Sequence, residues 1–346
     1  MAADNPHRSS VAWWAELTDE ELLQVRMCDL HLSIEGTPLE SRIATVQGEL
    51  SSRNLQFQPH YWLSDEWFCA DGIPGIAIPF YLAHPRLERL ERSQLLEVEG
   101  GDEGWCLKIL RHEVGHAIEN AFRLRLRKER KKVFGKTSEP YPEYYSPKPY
   151  SKSFVLHLDA WYAQSHPDED FAETFAVWIT PNSQWRERYQ GWPALRKLQY
   201  MERLMHEIAG STPPVQNKKV VDPLSALPKT LGQHYAERKA KYGRETPSFY
   251  DKDLRTLFSD APEFARSQLA SAFIRRKRRH IRALVSRWTG TYQYTIDRVL
   301  EAMMVRASQL GLRLVLGEDD TLKQFAVLVT VQTMNYLHSG RHRVAL

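Results

Sequence analysis

Cysteine is scarce in this chain and poorly placed to organise a fold. Cys28, Cys69 and Cys106 are its three cysteines, set at wide and irregular intervals. They make no disulfide framework. Long apolar runs are missing too: no stretch approaches about 18 consecutive apolar residues, so no membrane-spanning helix is expected. The N-terminus shows no basic-then-apolar signal segment, which together with the thiol usage predicts a cytoplasmic protein. Charge is nearly balanced. Forty-seven Lys and Arg against 43 Asp and Glu leave a formal charge of +4, which by itself gives no reason to expect a nucleic-acid partner. Apolar mass, in contrast, is plentiful. A hydrophobic fraction of 42% with 10 Trp and 13 Phe in 346 residues supplies more than one core, and two domains are expected.

The most informative stretch is Arg111-His112-Glu113-Val114-Gly115-His116, an HExxH motif. On a helix, positions i and i+4 lie nearly above one another, so the imidazoles of His112 and His116 can reach one ion. Glu113 then projects beside the metal, where its carboxylate can act as general base toward a water. Leu107, Leu110, Val114, Ala117, Ile118 and Ala121 form an apolar stripe at spacings of three and four, which predicts a helix with the two His off the buried face. Chance alone gives about 3 such motifs per 100 chains of this length and composition, so a third ligand is required to make the case.

A catalytic zinc site takes three protein ligands and leaves the fourth position open. Residues 165 to 180 hold suitable carboxylates. Pro167 suits a first helical turn, and Asp168, Glu169 and Asp170 crowd the positive end of the helix dipole. Glu169 and Glu173 share one face, whereas Phe171, Phe175 and Trp178 fall on another and are expected to pack into the core. One of the two glutamates is the expected ligand.

With both motifs in view, the chain resembles the gluzincins, zinc peptidases with HExxH on one helix and a Glu on the next. The likeness is greatest to a bacterial group of zinc-binding metallopeptidases whose second helix reads like the EDFAE of residues 169 to 173. The resemblance implies Zn2+ as cofactor, Glu169 as third ligand, and Glu173 as a carboxylate that holds a ligand His by hydrogen bond. It also implies an oxyanion-stabilising Tyr seven residues before the ligand Glu, a position that Tyr162 occupies. It covers roughly residues 70 to 180. Some proteins of this group carry a zinc ribbon built from CxxC pairs, and the three cysteines here make no such pair. Residues 119 and 122 are Glu and Phe, so the extended HExxHxxGxxH signature fails and a metzincin is excluded.

Elsewhere the readings are structural. Residues 1 to 10 read as disordered. Thr18-Asp19-Glu20-Glu21 offers a capping box for a helix running through Leu22, Val25 and Leu30. Cys28-x-x-His31 lacks a partner pair. Residues 57 to 82 turn aromatic and β-branched, and Gly75 to Leu82 predicts a strand, which Pro79 favours at a sheet edge. That edge is expected either to pair an extended peptide or to lie under a loop. The basic run Arg123 to Lys132 is expected to continue the HExxH helix. Tyr141 to Tyr150, rich in Pro, predicts a loop that walls a cleft or simply packs. His157 and His166, near the third ligand, read as polar surface histidines in preference to oxyanion stabilisers.

After Gly210 a Gly/Pro break opens a linker. Beyond about Pro228, Ile296, Val299, Leu300, Met303, Met304 and Ala307 repeat at helical spacing, and Leu322 to Leu337 is a second apolar helix. Ile274 to Arg282 is densely basic. With Ile281, Leu284, Val285 and Trp288 it reads as one amphipathic helix with a solvated basic face, in preference to a phosphate-binding surface.

The expected architecture is thus α+β. A helical N-terminal region (1–56) precedes a zincin-like domain (57–210) with a small mixed sheet and the HExxH helix. A linker (211–228) then leads to an all-α domain (229–346). The expected function is a zinc peptidase acting on a peptide or protein. The competing expectation is a regulatory binding protein with a structural or weakly active zinc site and a basic helical domain contacting nucleic acid or a protein partner.

Overall fold

A computed structural model describes residues 12–142, 144–145, 148, 151–242, 250–338 and 344–345. The expected disorder at residues 1 to 10 lies outside them, as do positions 143, 146, 147, 149 and 150 of the Tyr/Pro segment. In chain order the elements are α1 (Asp19–Leu22), α2 (Pro38–Ser52), β1 (His60–Ser64), β2 (Gly75–Pro79), α3 (Pro85–Leu95), α4 (Glu103–Ala121), α5 (Lys128–Phe134), β3 (Tyr144–Tyr145) and α6 (Pro167–Ile179). There follow α7 (Trp185–Arg188), α8 (Ala194–Ile208), α9 (Leu231–Tyr242), α10 (Tyr250–Leu257), β4 (Phe258–Ser259), α11 (Ala270–Thr289), α12 (Gln293–Gln309), β5 (Arg313–Leu314), α13 (Glu318–His338) and β6 (Val344–Ala345). The fold is α+β and mostly helical. No helix among the described residues is long and apolar enough to cross a membrane.

The chain forms two compact units. The first holds residues 1–94, 98–124 and 208–238. Its sheet is the parallel pair β1–β2, in register from His60 opposite Gly75 to Ser64 opposite Pro79. The expected small mixed sheet is therefore a two-strand one, extended only by an antiparallel bridge from Phe68 to Ala77. That bridge decides what happens at the edge carrying Pro79: the Ala77 N–H donates to Phe68 O at 2.9 Å, so the outer side of β2 is covered by its own chain. Along β1, side chains hold the 219–222 segment. His60 Nε2 bonds Lys219 O at 2.6 Å, Trp62 Nε1 donates to Val221 O at 2.9 Å, and Ser64 Oγ donates to Asp222 O at 2.6 Å.

Helix α1 has the expected capping box, with the Glu21 carboxylate accepting the Thr18 N–H at 2.9 Å. It ends at Leu22, well short of Leu30. The reason is tertiary: Leu231 N donates to Val25 O and Met27 N donates to Lys229 O, so residues 25–27 pair with 229–231 instead of continuing the helix. In α4, the Asp102 side chain accepts the Trp105 N–H and caps the N-terminus. Leu110, Val114, Ala117, Ile118 and Ala121 are buried, the Leu, Val and Ile side chains contributing about 1.5–3 kcal/mol each and the alanine methyls less. The helix packs on α2 and β2. Arg111 grips Glu49 of α2 through Nε at 2.8 Å and Nη2 at 2.6 Å.

The basic run does not prolong this helix. Phe122 caps α4, Arg123 adopts φ +52°, and a separate helix, α5, begins at Lys128. Asn120 Nδ2 donates to Ala70 O and Ile73 O at 3.0 Å each, and Val215 N takes the Ala121 carbonyl. These bonds fix the last turn and redirect the chain.

The second unit holds residues 95–97, 125–207 and 239–346. Helices α10 to α13 enclose a core of Leu254, Phe258, Phe273, Ile281, Leu300, Met303 and Phe325. The C-terminal region is not wholly helical, because β4 and β5 pair antiparallel, Phe258 opposite Leu314. A further antiparallel pair joins Tyr144–Tyr145 to Val344–Ala345.

A candidate metal centre on the HExxH helix

His112 and His116 lie in the third and fourth turns of α4 and are almost fully buried, as is Glu113 between them. The helical spacing brings His112 Nε2 and His116 Nε2 to 3.1 Å of each other, with the rings edge-to-face. Two nitrogens bound to one tetrahedral zinc at ligand distances of about 2.0–2.1 Å sit roughly 3.3 Å apart. The imidazole pair fits that spacing. A nitrogen from each and a carboxylate oxygen of Glu169 lie within 4.8 Å of one another, and all three residues are buried. Two imidazoles and one carboxylate form a donor set suited to zinc with one position left open.

Glu169 occupies the first turn of α6. The His166 ring caps that helix, accepting the Asp168 N–H through Nδ1 at 3.1 Å, and Pro167 follows at the first helical position as expected. His166 Nε2 then bonds Glu139 O at 2.9 Å. The expectation of a surface histidine fails here: His166 is buried and structural. Asp168 accepts from Arg130 Nη2 at 2.7 Å and pairs with Arg125 at 3.4 Å. Asp170 receives Lys197 Nζ at 2.6 Å, yet burial outweighs that partner and pushes the carboxyl up to about 7. Phe171, Phe175 and Trp178 are buried as their spacing predicts.

Tyr141 is the site residue that the sequence did not single out. Its hydroxyl donates to Glu169 Oε1 at 2.8 Å, while its ring stacks on His166 with centroids 3.8 Å apart and an 18° tilt. Burial and the Glu169 carboxylate raise the phenol well above its ordinary range, so the proton stays on Tyr141. Only the density of tyrosines around it marked the segment.

Glu173 is fully buried, and its Oε2 accepts the Leu158 N–H at 2.9 Å. Leu158 opens the 3-10 helix Asp159–Gln164, on which Tyr162 sits. Glu173 therefore anchors the turn that carries Tyr162. Within that turn Trp161 has φ +54°, a costly conformation for an aromatic residue. The Tyr162 ring meets the Tyr145 ring edge-on, centroids 6.4 Å apart.

Comparison with known proteins agrees with this assembly of motifs. Residues 106–185 match the family model described as "Putative zinc-binding metallo-peptidase". The matched span runs from within α4 to the start of α7, and so contains both motifs. No curated protein and no solved structure matches the chain.

The basic helix is α11. Arg276 and Lys277 pair with Glu318, and Arg278 and Arg282 pair with Asp297. Four of its cations thus serve packing against α12 and α13, while Arg275, Arg279 and Arg287 are exposed.

Proposed function

We propose that this protein is a zinc-dependent peptidase of the gluzincin type, with His112, His116 and Glu169 as metal ligands and Glu113 as general base. The observation that carries the reading is the convergence of two imidazoles and a carboxylate, all buried, on a helix that places a glutamate directly after the first His. Zinc bound there would polarise a scissile carbonyl and acidify a water near neutral pH. Glu113 takes the proton of the attacking water and delivers it to the departing amine. Tyr162 serves as a hydrogen-bond donor to the oxygen that gains charge as the carbonyl is attacked. Glu173 holds the turn bearing Tyr162 through Leu158, and by the family resemblance also orients a ligand His. The substrate is a peptide or protein.

The test combines metal analysis with cleavage of a peptide library by the wild type and by Glu113→Gln. Stoichiometric zinc with cleavage lost in the variant supports the proposal. Equal cleavage by both removes Glu113 from the mechanism, and absence of zinc removes the metal centre.

A further inference from the structure

The loop ahead of α6 carries a positioning residue for the candidate third ligand. Tyr141 touches the first turn of α6 at two points one helical turn apart. Its ring lies flat on His166, the N-cap, and its hydroxyl reaches Glu169, three residues on. Both points belong to one rigid turn, so the distance from hydroxyl to carboxylate is set by that turn. The clamp is itself fixed. His166 has both ring nitrogens engaged, with the Asp168 N–H and with Glu139 O. Asp168 is locked by Arg130, which has no exposed surface and also donates to Gly135 O at 3.0 Å and Pro167 O at 3.2 Å. An unconstrained glutamate side chain samples many rotamers, and it gives up that freedom when it binds a metal. A hydrogen bond to one carboxylate oxygen removes part of that freedom and leaves the other oxygen to act as ligand.

We infer that Tyr141 positions Glu169 for metal binding by holding its Oε1, and that His166 is the platform that holds Tyr141. The inference rests on the metal-centre reading above and extends it to a loop residue far from either motif in sequence. Tyr141→Phe keeps the ring on His166 and removes only the hydroxyl, so it isolates the bond.

The experiment is a chelator competition measuring zinc affinity of the full-length protein for wild type, Tyr141→Phe and His112→Ala, with thermal unfolding of each metal-free form. The inference predicts that Tyr141→Phe unfolds at the wild-type temperature but binds zinc about tenfold or more weakly, the usual effect of losing a group that orients a ligand. The cobalt-loaded variant is expected to show an altered visible band, since a released carboxylate changes the coordination of the ion. Wild-type zinc affinity in Tyr141→Phe overturns the inference while leaving the metal centre intact. Should wild type bind zinc no better than His112→Ala, the metal centre itself fails, and the inference with it. An equal loss of affinity and unfolding temperature in Tyr141→Phe assigns the bond to folding and overturns the inference too.

Discussion

Arg130, wholly buried, donates through Nη2 to Asp168 Oδ1 at 2.7 Å, with its guanidinium carbon 5.5 Å from the centre of the Phe171 ring and 5.7 Å from that of Phe134. A buried pair of this kind gains little over a well-packed apolar replacement, but loss of one partner strands the other charge. Asp168→Ala is therefore expected to destabilise the protein by about 3–5 kcal/mol in urea unfolding. A loss below 1 kcal/mol would mean that water reaches Arg130.

Glu113→Gln removes a proton acceptor and leaves every proposed ligand in place. Turnover should fall by about 10²–10⁴ with zinc content unchanged, whereas His116→Ala should lose both. Zinc at 100 times its dissociation constant should stabilise wild type by about 2.7 kcal/mol, an increment that a chelator abolishes and that His116→Ala never shows. Peptide cleavage, metal analysis and calorimetry with and without metal read the three in turn.

Gly135 closes α5 at φ +107°, and a Cβ there would lie 3.2 Å from Pro167 Cγ. Gly135→Ala should cost about 1–3 kcal/mol of stability through backbone strain. Because Arg130 donates to Gly135 O, the variant should also relax the clamp around Asp168, which amide exchange over residues 128–135 would report as faster exchange.

Burial holds the His234 imidazole down at about 3, with the Arg238 and Lys229 charges acting in the same direction. A base whose folded pKa lies below its unfolded value of about 6.5 binds its proton more readily once unfolded. Its contribution is present above about pH 6.5 and is lost as the pH falls toward 3, at up to about 1.4 kcal/mol per pH unit. In urea unfolding at several pH values, His234→Phe should therefore gain on wild type as the pH falls below about 6.5. A pH-independent difference between the two proteins would mean that the imidazole at position 234 takes up its proton equally in the folded and unfolded states.

The candidate site was legible in the sequence where it depends on short-range periodicity. Two histidines four apart and a glutamate-bearing amphipathic segment announce themselves because a helix converts spacing directly into direction. The capping box at Thr18, Pro167 at a first helical turn and the apolar helices α12 and α13 were legible for the same reason. What failed depended on partners distant in sequence. Residues 25–27 left the helical path to pair with 229–231, and α4 stopped because Asn120 and Ala121 bond to the segments at 70–73 and 215. Tyr141 and His166 took on structural meaning only through a ring stack across 25 positions, which no local pattern encodes.

On the β2 side of the β1–β2 pair Phe68 O takes the Ala77 N–H, while the side chains of His60, Trp62 and Ser64 on β1 hold the carbonyls of residues 219, 221 and 222. With the Ala77 N–H taken, an added strand would have to displace the chain at Phe68 before it could pair along β2. The same bridge blunts that edge as a template for strand-to-strand stacking between copies, a hazard that short exposed ribbons otherwise carry.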